Sequence, residues 1–248
     1  VPRRIDDLDG KVRAYEQELT EPAATLYSVQ KVYGDKVREQ SKQAYGRMLE
    51  AHLLTAGVLG RGLIRVHGKF AAFTNVGEER DSLFASFVIG MSACECAIEE
   101  GRYLQALALL RQEMETLAQL KSVRSGVRKE KRAPNVGLLG RSIRRLYGDL
   151  SNAAHVSKHH IVRTVTTWDL SDKKLPGPTS GTRYFPAFDE GLARRSFALH
   201  LMLIIKVISE LSVELNERYS GDGFDARDTE AIDLALELMQ IEGMVDLG

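Results

Sequence analysis

Between Asp81 and Val123 the apolar residues return every three or four positions, with one interruption at Gly101. Leu83, Phe84, Phe87, Val88, Met91, Cys94 and Ile98 make the first run, and Leu107, Leu110, Met114 and Leu117 the second. A helix turns once per 3.6 residues, so this spacing lines one face of each run with apolar side chains. Glycine adopts the left-handed backbone that ends a helix at little cost, which makes Gly101 the turn between them. The two runs predict a helical hairpin, and most of the remaining chain follows the same period.

A further helix is expected from about Val136 to His155, with Leu139, Ile143, Leu146 and Leu150 on its apolar face. Pro186 and Asp189 open another that runs to about Tyr219 and is apolar all round at its centre, which predicts burial. That centre, Phe197 to Ile208, is about a dozen residues and falls short of the roughly twenty a bilayer needs, so no membrane partner is expected. Asp228 or Thr229 caps a last helix ending near Gly243. Gly57, Gly60 and Gly62 predict a break or a close approach of helices, and Asn75-Val-Gly-Glu reads as a loop. The period changes at Ile161-Val-Arg-Thr-Val-Thr-Thr-Trp168, which alternates and is β-branched. Thr182 to Phe185 can return beside it after the turn-rich residues 176–181. The expected fold is therefore mainly α, a bundle of about seven helices with a small β-hairpin insertion near residues 161–185.

The amino-terminal segment is different. Ile5, Leu8, Val12, Tyr15 and Leu19 are spaced three or four apart in a charged background. Pro22 reads as the first turn of a following helix, where Leu26, Val29, Tyr33, Val37, Ala44 and Met48 continue a narrow stripe. A stripe that narrow and that long predicts an arm packed on a partner helix, in its own chain or in a second copy. The chain divides accordingly into an arm, residues 1–77, and a helical core, residues 78–248.

Charge narrows the partners. With 34 basic and 34 acidic residues the net charge is zero, which argues against non-specific binding of nucleic acid or membrane by the molecule as a whole. Lys121, Arg124, Arg128, Lys129, Lys131 and Arg132, followed by Arg141, Arg144 and Arg145, still make a local basic patch. Arg128, Lys129, Lys131, Arg132, Arg144 and Arg145 are the candidates for RNA or DNA phosphates, although no aromatic residue interleaves them. Residues 210–246 hold eleven acids against two arginines, so the patch is equally suited to meet the acidic end. Cys94 and Cys96 are one residue apart and point to different faces of a helix, so they are expected to be reduced and buried in a cytoplasmic protein. No apolar run with a cleavage site opens the chain, and no secretion signal is expected.

Arg111 and Glu115 are four apart, as are Tyr147, Ser151 and His155. Each set lines one side of its helix, and packing of the two helices would bring all five together. Such a cluster is either an acid/base or phosphate-holding site, with His155 as base and Arg111 on an anion, or a hydrogen-bonded network that fixes helix register. His155 and His159 are spaced like two metal ligands, but no third ligand is identifiable, so no metal and no cofactor is assigned. His200, in the most apolar helix, reads as a hydrogen-bonded core histidine.

Ala108-Leu-Leu-Arg-Gln-Glu-Met-Glu-Thr-Leu117 and Leu146-Tyr-Gly-Asp-Leu-Ser-Asn-Ala-Ala-His155, with Phe185-Pro-Ala-Phe-Asp189, carry a family likeness. They resemble a bacterial helical domain of unknown function, in which a helix reading LLR-x3-E precedes one reading Y-x2-LS-x3-H. The resemblance covers residues 80–215 and implies an all-helical fold distantly similar to HEPN domains, which include RNA-cutting toxins and non-catalytic relatives. HEPN ribonucleases present an Arg and a His a few residues apart on one helix. Arg47 with His52, Arg61 with His67, and Arg194 or Arg195 with His200 offer that spacing, whereas no Arg precedes His155 at that distance. Two functions are therefore expected. The first is a non-catalytic helical assembly or regulatory protein, a homodimer or a subunit of a bacterial stress or antiphage defence system. The second is an HEPN-like, metal-independent RNA endonuclease.

Overall fold

A computed structural model describes residues 2–69, 74–128, 132–154, 159–169, 180–219 and 223–245. The protein is all-α, with α1 (Pro2–Tyr45), α2 (Met48–Val66), α3 (Asn75–Glu99), α4 (Tyr103–Arg124), α5 (Arg141–Ala154), α6 (His159–Thr166), α7 (Glu190–Arg218) and α8 (Ala226–Ile241). A 3-10 turn, Val136–Leu139, precedes α5. The only strand pairing among the described residues is β1 (Thr167–Asp169) against β2 (Ser180–Thr182), antiparallel, with Trp168 opposite Gly181.

The central element is α7, which packs against α1, α2, α3 and α4. Phe197, Leu201, Ile204, Val207, Ile208, Leu211 and Leu215 bury successive turns of it. Tyr45 stacks on Phe197 with ring centroids 4.0 Å apart, which seats the end of α1 on the core. By length and composition α3 and α7 each hold a window apolar enough to cross a bilayer, which the dozen residues of the sequence reading do not anticipate. In this fold 61% of the α7 window is buried and 28% of the α3 window. Against α7 lies α2, whose Met48, Ala51, Val58 and Leu59 belong to the same buried cluster. At Gly62 a Cβ would stand 2.8 Å from the Phe224 ring, whereas one at Gly57 or Gly60 would meet nothing within 4 Å, so of the three only Gly62 marks a close approach, and the helix is unbroken.

The helical hairpin of α3 and α4 is present, and its turn is constrained. Gly101 has φ +71°, and a Cβ there would meet the Ala187 carbonyl oxygen at 2.9 Å and Val37 Cγ1 at 2.8 Å. A side chain at this φ costs about 1–2 kcal/mol before any clash. Gly101→Ala is therefore expected to lower folding stability by about 2 kcal/mol or more, measured by guanidinium denaturation. A loss under about 0.5 kcal/mol would show that the turn has room to relax.

Several expectations are corrected. Pro22 does not begin a helix but lies inside α1. Asn75 starts α3 rather than a loop, because the Thr74 hydroxyl accepts from the Gly77 N–H at 3.0 Å and caps it. Residues 161–166 are helical, not extended: α6 packs on α4, Val165 touches the core, and the Thr166 hydroxyl donates to the Val162 carbonyl at 2.8 Å. Tertiary packing overrides their β-propensity. The cap of α8 is Asp225, and Asp228 is its reciprocal partner three residues on. Cys96 is exposed, and only Cys94 is buried. Leu146 is exposed as well, since the adjacent Tyr147 takes the position facing α4.

Candidate functional site

The predicted polar cluster forms in part. Arg111 Nε donates to Glu115 Oε1 at 2.9 Å, and the Tyr147 hydroxyl donates to the same oxygen at 2.5 Å. The Arg111 guanidinium also lies 5.5 Å from the Tyr147 ring centroid. Burial and the Glu115 carboxylate both raise the Tyr147 phenol above its usual range. One carboxylate oxygen thus accepts two charge-assisted bonds, and the one from Tyr147 joins α5 to α4. Ser151 is half-buried further along α5, and His155 lies outside the described residues.

The basic patch is partly neutralised. Lys121 and Arg124 reach Glu210 at 3.3 and 2.5 Å, and Arg128 pairs with Glu79. Glu210 belongs to the acidic carboxy-terminal stretch, so the two oppositely charged segments meet there within one chain. Arg132, Arg144 and Arg145 are exposed, while Lys129 and Lys131 lie outside the described residues. In the three Arg–His spacings an arginine is engaged by an acid. Arg47 faces Glu50 at 3.0 Å, Arg61 faces Asp228 at 3.0 Å, and Arg194 faces Glu242 at 2.9 Å.

A second cluster joins residues from four helices. His200, fully buried on α7, has Nδ1 2.9 Å from Glu113 Oε2 on α4 and Nε2 3.3 Å from Glu95 Oε1 on α3. His52 on α2 places its Nε2 2.9 Å from the same Glu95 oxygen. Cys94, Glu113 and His200 each offer a donor atom within 4.8 Å of the others'. The second oxygen of Glu113, Oε1, is buried without a hydrogen-bond partner. Of these residues the sequence reading singles out His200 and Cys94 as core and misses the role of Glu95 and Glu113, because nothing in local spacing links them.

Both nitrogens of His200 face carboxylates, so the ring is doubly protonated. Burial opposes that charge, but the contacts with Cys94, Glu113 and Glu95 outweigh it and raise the imidazole well above 6.5. For Glu95 burial acts upward, yet its bonds to His200 and His52 bring it down from 4.5 to about 2. Burial pushes the Cys94 thiol up to about 11. The His200 contribution to stability is complete below pH 6.5 and is lost as pH rises through the folded value. That of Glu95 is complete above pH 4.5 and is lost as pH falls towards 2. The cluster is therefore expected to stabilise the protein most between pH 4.5 and 6.5. Denaturation midpoints that climb steadily on the alkaline side would contradict it.

No family model, no curated protein and no solved structure matches this chain.

Proposed function

We propose that the protein works by assembly: the amino-terminal half of α1 pairs with the same segment of a second copy as a parallel two-stranded coiled coil, joining two helical domains. The open seam of α1 carries this reading. Every residue from 8 to 28 is exposed, including Leu8 (59%), Tyr15 (64%) and Leu19 (53%). The positions 5, 8, 12, 15, 19, 22, 26, 29 and 33 alternate steps of three and four, and all are apolar. That period of 3.5 belongs to a supercoiled pair, not to a helix lying on a globular core. The seam closes in cis at Tyr33, which stacks on Phe185 at 5.4 Å.

Orientation follows from the flanks. In a parallel pair in register, the residue before one seam position faces the residue five places on in the partner helix. Lys11 then faces a second copy's Glu16, of opposite charge. Antiparallel pairing would set the flank of Asp9 and Glu16 against itself. A second copy also accounts for helix continuity. Pro22 and Gly10 inside α1 cost about 3 and about 1 kcal/mol, and burying seam side chains at about 1.5–3 kcal/mol each offsets them.

The test is a disulfide. Tyr15→Cys, in a Cys96→Ser background, places two thiols face to face across a parallel seam. Oxidation is expected to yield a covalent dimer. If only monomer forms and light scattering gives 27.6 kDa, the reading is wrong. The ribonuclease reading needs Arg111 for a phosphate, and the Nε of that guanidinium is already paired with the Glu115 carboxylate, which favours the register network. Cleavage of labelled single-stranded RNA that disappears in His155→Ala would displace assembly as the primary function.

A further inference from the structure

We propose that Cys94, Glu113 and His200 form a zinc site buried between α3, α4 and α7, with Glu95 and His52 holding the His200 ring from behind. The donor set is a thiol, a carboxylate and an imidazole, the three side chains that zinc takes most readily. A thiolate among the donors disfavours magnesium and calcium, which prefer oxygen. The three donor atoms already lie within 4.8 Å of one another, and zinc at about 2.0–2.3 Å from each needs them to be roughly 3.5 Å apart. The approach required is a small rotation of side chains on three packed helices.

The arrangement behind the ligands is the one metal-bound histidines use. His200 would bind zinc through Nδ1, the nitrogen beside Glu113, and keep its Nε2 proton on Glu95, 3.3 Å away. Glu95 is fixed in turn by His52 at 2.9 Å. A carboxylate on the far nitrogen sets the tautomer, orients the ring and raises its basicity. A core histidine needs only one partner on each nitrogen, and the third helix residue, Cys94, is superfluous to that purpose. Glu113 Oε1 is buried without a partner, a vacancy in hydrogen bonding that a cation satisfies.

Charge balances as well. Zinc enters as the His200 Nδ1 proton and the Cys94 thiol proton leave, so two positive charges replace two and the buried cluster keeps its net charge. No oxidant or reductant takes part. A cavity of about 20 Å³ between α3 and α4 is lined by Ser86, Phe87, Gly90, Gln112 and Glu113, so Glu113 borders open space on that side.

The experiment uses the full chain, reduced and dialysed against chelator, titrated with cobalt(II) and then zinc. Cobalt is expected to give thiolate-to-metal charge-transfer absorption and the intense visible bands of four-coordinate cobalt, at one equivalent, both removed by zinc. Cys94→Ser is expected to abolish the charge-transfer band, while Cys96→Ser leaves it intact. Circular dichroism establishes that each variant is folded. If Cys94→Ser does not fold, Glu95→Gln serves instead and is expected to weaken zinc binding about 10–100-fold. Absence of a charge-transfer band in the wild-type chain overturns the proposal, as does a band that survives Cys94→Ser. Neither result bears on the coiled-coil reading, whose disulfide test involves no metal.

Discussion

Val12→Asp with Leu19→Asp is expected to halve the mass of the protein in solution, from twice 27.6 kDa to 27.6 kDa. In the proposed coiled coil both positions occupy the same seam site of successive heptads, so each faces its own counterpart in the second copy. Aspartate there puts four carboxylates into a seam that excludes water, with no cation to meet them. Each uncompensated charge costs several kcal/mol, more than the seam side chains return. In the isolated chain both positions are exposed, at 45% and 53%, so the helical domain should melt as before. Gln17→Asp, on the opposite side of α1, serves as the control and should leave the mass unchanged. A double variant that retains the wild-type mass would place the contact between copies elsewhere.

Glu113→Ala is the larger effect on folding, a loss of about 3–5 kcal/mol in the metal-free protein. Glu113 is 5% exposed and sits 2.9 Å from the fully buried His200. Removing the carboxylate leaves an imidazolium facing a cavity on that side, with only Glu95 to stabilise it. The alternative, loss of the Nδ1 proton, keeps the Nε2 bond to Glu95 but gives up the charge attraction between them. Either route costs more than an exposed ion pair is worth, which is about 0–1 kcal/mol. Replacing Glu113 and His200 together by leucine should recover much of the loss, because neither charge is then left without the other. Guanidinium denaturation of the three variants decides it, and a single-variant loss below about 1 kcal/mol would mean that the pair contributes little.

Much of this architecture is legible in the sequence, and the failures have causes. The α3–α4 hairpin follows from eleven apolar positions and one glycine, and Asp189 caps α7 where the chain predicts it, accepting from the Leu192 N–H at 2.8 Å. Contacts four residues apart are readable too, as in Arg111 with Glu115, and Tyr147, 32 positions on from Glu115, joins them because α5 packs on α4. Ile161 to Thr166 has strand composition, but a short segment takes the conformation that its neighbours pack, and α4 favours a helix there. The His200 cluster is not readable at all. Its hydrogen bonds join residues 43, 87 and 105 positions apart on four helices, and no local period encodes such a meeting.

Helix α4 contributes to both polar clusters from opposite sides. Glu113 points towards His200, whereas Arg111 and Glu115 lie roughly 160° round the helix and meet Tyr147. The rotation of α4 about its own axis is thereby fixed twice. A single inserted residue turns everything beyond it by about 100°, so an insertion between Tyr103 and Arg111 would pull both clusters out of register at once. Under the proposed pairing the arm obeys the opposite rule. Seven residues added between Leu8 and Leu19 restore the same seam one heptad longer. In this chain α4 is intolerant of any change in length, and α1 can grow in whole heptads.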